Sequence, residues 1–151
     1  MNTLNLEPLI DGYRWLYENP HRFCIKYFIS KETEDNEHVL MNYTSTTLDP
    51  NTRLCLGGAT LLLQAIKEGK TEVEMYSEEG TPITKIIDML TASSPEWKGD
   101  TRELYDLLHD LFLGAFDNNW LQDCTLTQLW YVLQKVCLEC SYVPQWVPEN
   151  D

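Results

Sequence analysis

The stretch "RFCIKYFIS" (22–30) decides the fold class, because it alternates apolar and polar positions as a half-buried strand does. "VLMNYTSTT" (39–47) is rich in β-formers and predicts a second strand, antiparallel to the first across the polar connection "KETEDNEH" (31–38). "TEVEMYS" (71–77) alternates again and predicts a third. Helical spacing dominates elsewhere. The expectation is therefore an α+β fold, a small antiparallel sheet of about three strands in the first half packed with four to five helices. The C-terminal half is mainly helical, and residues 1–151 make a single globular domain.

On either side of that segment the helix signals are clear. Leu6, Leu9, Ile10, Tyr13, Leu16 and Tyr17 recur at three-four spacing until "ENP" (18–20) stops the helix. In "LDPNTRLCLGGATLLLQAIKEGK" (48–70), Asp49 and Pro50 offer a start, while Gly57 and Gly58 argue for a break. The secure part then runs from about Ala59 to Glu68, with Gly69 as C-cap. Thr81 and Pro82 open a helix with Ile83, Ile86, Ile87 and Leu90 as its buried stripe. Asp100 and Glu103 have capping-box spacing before a helix from about Thr101 to Phe116, and Thr125 and Gln128 have it before a last helix to Cys140. The tail "SYVPQWVPEND" (141–151), with two prolines, reads as extended, its Trp146 folded back on the domain.

Two cysteines in "CLEC" (137–140) invite a metal or redox reading. Leu126, Leu129, Leu133, Val136 and Cys140 share one helical face, with Trp130 and Cys137 on the adjoining one, so both thiols fall in the last turn of a packed helix. Reactive CxxC pairs draw a low thiol pKa from a helix N-terminus, and the C-terminal end acts in the opposite sense. His109, Cys124, Cys137 and Cys140 contain enough ligands for zinc, but a second close-spaced pair is missing. Packing thiols are the expected role, with neither metal nor cofactor. "LGGAT" (56–60) lacks the Lys-Ser/Thr pair of a phosphate loop, and "DNNWLQD" (117–123) lacks the glycine of a calcium loop. His109 stands on the flank of its helix without a nucleophile nearby in sequence.

Charge supplies the remaining signal. Twenty-four acidic residues face 11 basic ones, a net charge of −13. That balance disfavours direct binding of nucleic acid or an anionic membrane and favours a basic protein partner. Glu103, Asp106 and Asp110 form a stripe opposite the leucine face of their helix, with Asp117 continuing it if the helix persists. The leading expectation is a non-enzymatic binding protein that masks a basic surface, such as an inhibitor of a nucleic-acid-handling enzyme or a toxin immunity protein. The stripe and the tail aromatics Tyr142 and Trp146 are its candidate contacts. Two alternatives stand beside it. One is a small metal-dependent regulator or enzyme built on His109, Cys124, Cys137 and Cys140; the other is a structural subunit that forms homo-oligomers. The opening residues lack the basic and apolar regions of a secretory signal, and five cysteines is an odd number. Both features predict a cytoplasmic protein with reduced thiols.

Overall fold

The computed structural model describes residues 3–24, 28–32, 37–39, 52–78, 80–113, 115–116, 119–120 and 125–149. Five helices of 11 to 14 residues carry the architecture: α1 (Glu7–Glu18), α2 (Leu56–Lys67), α3 (Pro82–Ala92), α4 (Thr101–Leu113) and α5 (Leu126–Glu139). Helix α2 is the hub. Leu56, Gly57, Gly58, Ala59, Thr60, Leu62 and Ala65 are all buried, and α1, α3 and α4 pack around them. The residues argued to break this helix are what allow it to sit centrally. A Cβ on Gly57 would lie 2.7 Å from the Phe28 ring and 2.9 Å from that of Phe112, and one on Gly58 would overlap the Phe28 carbonyl. From the other side Gly12 of α1 lets Thr60 approach, and the Thr60 hydroxyl donates to the Leu56 carbonyl at 2.8 Å. Close approach, rather than a turn, explains these glycines.

The α+β expectation is corrected: the chain is mostly helical, not helices packed on a three-stranded antiparallel sheet. Extended pairing is confined to short segments. β1 (Ser30–Glu32) lies antiparallel to β2 (Glu37–Val39) and to β3 (Thr52–Arg53), and β4 (Ala115–Phe116) pairs with β5 (Asn119–Trp120). Among the described residues no pairing exceeds three residues, too little to form a layer on which helices could pack. Within 22–30, Phe28, Ile29 and Ser30 are buried in succession, so residues 28–30 thread the core with neither face turned to solvent. Residues 25–27, and 40–47 of the second expected strand, lie outside the described residues.

The segment 71–77 is the more instructive miss. Val73 and Met75 are buried while Thr71, Glu72 and Glu74 are exposed, so the alternation is real. Yet this segment forms no strand, and the Glu74 carbonyl accepts from Lys85 Nζ at 3.0 Å. Period-two burial reports that a chain lies on a core, and it is silent on whether another chain lies beside it.

Helix ends follow local chemistry more closely. Thr81 with Thr84 and Thr125 with Gln128 close reciprocal capping boxes at α3 and α5. The Asp100 carboxylate accepts the Arg102 amide at 2.8 Å before α4. Gly69, at φ 71°, ends α2 as expected, with Lys70 N–H donating to the Ala65 carbonyl. The same left-handed turn ends α5 on Ser141 at φ 54°, where the Tyr142 amide reaches the Cys137 carbonyl at 2.9 Å. Helix α2 begins at Leu56, not at the Asp49–Pro50 start; that pair lies outside the described residues. Helix α4 stops at Leu113, short of Phe116, where pairing of 115–116 with 119–120 replaces a further turn.

Candidate partner-binding face

Helix α4 is two-sided. Leu104, Leu108, Leu111 and Phe112 are buried against the core. On the opposite side Glu103 and Asp106 are exposed, and the Asp110 side chain retains 49% of its accessibility. Steps of three and four residues place successive carboxylates about 5–6 Å apart along one face. Among the described residues no lysine or arginine forms an ion pair with these three; the His109 ring lies beside Asp110, with Nδ1 3.8 Å from its carboxylate. Because α4 ends at Leu113, the stripe closes at Asp110 in the described residues, and Asp117 lies outside them.

The tail residues have a different setting. From 141 to 149 exposure alternates, with Tyr142, Pro144, Trp146 and Pro148 turned inward and Val143, Gln145 and Val147 outward. Trp146 stands over α1 and α5, its ring centroid 6.1 Å from Tyr13, 5.8 Å from Tyr17 and 6.0 Å from Trp130. The Arg14 guanidinium lies 5.8 Å from the same ring, a cation–π contact. Tyr142 donates to the Glu7 carboxylate at 2.5 Å, and burial, then that bond and the charge of Glu7, push its phenol well above the usual range. Tyr17 donates to the Glu149 carbonyl at 3.0 Å. Both tail aromatics thus make their contacts inside the chain. Sequence reading missed Glu7 and Arg14 as the groups that receive them, since more than 130 residues separate the partners.

Cys137 and Cys140 are 3% and 4% exposed. Burial, then its neighbour Cys140, raises the Cys137 thiol to about 11; burial, then Glu139, does the same for Cys140. Protons held that firmly oppose both metal ligation and nucleophilic attack at neutral pH. His109 is half-exposed on α4 and stacks on Tyr105, with centroids 6.3 Å apart. Among the described residues no three His, Cys, Asp or Glu side chains are placed to hold a metal ion; Cys124 lies outside them.

Among the described residues, two depressions stand out on the surface. An open cleft of about 810 Å³ lies between the end of α2, residues 68–74 and α3, and a shallower one of about 480 Å³ lies between α3 and α4. The larger mixes Glu68, Lys70, Glu72, Glu74, Lys85 and Asp88. Its cations are already engaged, Lys70 with Glu68 at 3.4 Å and Lys85 with the Glu74 carbonyl. No helix among the described residues is long and apolar enough to cross a membrane. Comparison with protein-family models, with curated proteins and with solved structures finds no match for this chain.

Proposed function

We propose that this chain is a non-enzymatic binding protein that covers a basic surface of another protein through the outer face of α4. The observation that carries this reading is the row Glu103, Asp106 and Asp110, exposed on a helix anchored by its opposite side and without Lys or Arg ion-pair partners among the described residues. Carboxylates without a Lys or Arg partner, held on a rigid element, present a fixed pattern of charge, which orients a cationic partner and speeds its approach. Residues 99 to 151 hold nine acidic and two basic side chains, so the field extends beyond the stripe. A partner that itself binds nucleic acid fits this chemistry, because the carboxylate spacing is similar in scale to that of phosphates along a strand. Inhibitors of nucleic-acid-handling enzymes and immunity proteins for nuclease toxins are the functional classes with this logic.

The test starts from affinity capture in the native host, with elution by a salt gradient and identification of what elutes. Wild type and the Glu103→Gln/Asp106→Gln/Asp110→Gln variant are then titrated against the captured partner at low and high salt. Close interfacial charge pairs contribute on the order of 1.5 kcal/mol or more each, so the variant should bind at least a hundredfold more weakly at low salt. Equal affinities at both salts would sink the proposal.

A second reading, self-association as a structural subunit, rests on apolar side chains left outward on α5 and the tail. Tyr131, Leu138, Val143 and Val147 are 63%, 79%, 81% and 58% exposed. Sedimentation across a hundredfold concentration range separates the two readings, since only self-association makes the measured mass depend on concentration.

A further inference from the structure

Where the chain enters α2 it runs beside the segment that leaves α1. Phe23 and Leu54 form a parallel bridge, with the Cys24 amide donating to the Leu54 carbonyl at 3.0 Å and the Leu54 amide to that of Arg22 at 2.7 Å. One residue further on, the same register sets Cys24 opposite Cys55, which precedes α2 in an extended conformation, φ −80° and ψ 179°. Paired extended chains lie about 4.7–4.9 Å apart, and in-register residues project from the same face. That spacing falls within the roughly 4.4–6.8 Å range of Cα separations that a disulfide spans. The two sulfurs also interact electrostatically, Cys24 being the second influence, after burial, that raises the Cys55 thiol. Cys24 is half-buried and Cys55 fully buried.

We infer that Cys24 and Cys55 are a thiol pair which peroxide converts to a disulfide, stapling the start of α2 to the segment after α1. The difference in exposure orders the steps. Cys24, the accessible sulfur, attacks hydrogen peroxide; the O–O bond breaks, Cys24 becomes a sulfenic acid and one water leaves. The Cys55 sulfur then attacks the Cys24 sulfur, the S–O bond breaks, and the hydroxyl departs with the Cys55 proton as a second water. Two thiols lose two electrons and two protons, and the peroxide accepts both. The Ser30 hydroxyl, 3.8 Å from Cys24 Sγ and donating to it, steadies this sulfur beside its partner. The second step should be the slow one, because Cys55 holds its proton in a dry site.

Peptide mapping tests the pair directly. The reduced full-length chain is treated with hydrogen peroxide under native conditions, blocked with N-ethylmaleimide, and digested with trypsin without reductant. Cleavage after Arg22, Lys26, Arg53 and Lys67 places Cys24 and Cys55 in separate peptides. The expected product is peptide 23–26 joined to peptide 54–67, two hydrogens lighter than their sum. It should vanish in Cys24→Ser and persist at wild-type yield in Cys137→Ser. Recovery of Cys55 as its maleimide adduct while Cys24 proceeds to sulfinic or sulfonic acid would overturn the inference, as would Cys55 joined to another cysteine. The wild-type map alone decides between these outcomes, so the result stands even where a variant folds poorly.

Discussion

A methyl group added at Gly58 would meet the carbonyl of Phe28, a backbone atom that cannot swing aside. Gly58→Ala should therefore destabilise the chain by about 1–3 kcal/mol, as overpacking of a close contact does, although alanine is the better helix former. Chemical denaturation checks the sign, and a stabilised variant would mean that the contact relaxes freely. The C-terminal thiols make a second prediction at this scale. Burial raises the Cys137 and Cys140 thiols from an ordinary 9.0 to about 11 in the folded chain. An acid whose pKa is raised by folding keeps its proton longer in the folded state. Its contribution is fully present below the unfolded value and is lost as pH rises from 9.0 through about 11. Urea midpoints should fall across that window, and the fall should be shallower in a Cys137→Ala/Cys140→Ala double variant. Identical slopes would show that the thiols titrate alike in both states.

At the scale of the element, α4 separates its two faces by burial. The inner leucines hold the helix in place, whereas exposed carboxylates contribute no more than tenths of a kcal/mol each. The triple glutamine variant of α4 should consequently melt within about 2 °C of wild type, or slightly above it, since like charges on one face repel. Circular dichroism melts at low salt measure this. A large loss would mean that the stripe holds the fold together, and the binding comparison would then need single substitutions. Leu104→Ala on the inner face should instead cost about 2–5 kcal/mol, in the range of buried leucine truncations.

Across the whole molecule the tail closes the structure. Residues 141–149 run beside α1 and α5, and Trp146 joins Tyr13, Tyr17, Trp130 and Arg14 into one aromatic group. The N-terminal end meets the same region through the Leu4 amide, which donates to the Cys140 carbonyl at 3.1 Å. Trp146→Ala should cost about 2 kcal/mol, below the 3–5 of a fully buried aromatic because the ring is half-exposed. Intrinsic tryptophan fluorescence should shift at the same time. Unchanged stability would free Trp146 for the partner-contact role that its residue type suggests.

Local chemistry determined the helices: apolar spacing marked the buried stripes of α1, α3 and α5, and Thr81, Thr125 and Gly69 fixed ends through groups within four residues. Charge and periodicity likewise placed Glu103 and Asp106 on the solvent side of α4. Three matters were decided only by tertiary structure. Alternation at 71–77 recorded the burial of Val73 and Met75 on the core without a strand forming there, because period two reports one neighbour, the core, and a ladder needs a second along its length. Gly57 and Gly58 lay inside a helix because what they accommodate, Phe28 and Phe112, comes from distant parts of the chain. The meeting of Cys24 with Cys55 depends on a bridge between segments about thirty residues apart. A pattern of apolar residues encodes a preference for the interior; which chain lies alongside is settled when the helices pack.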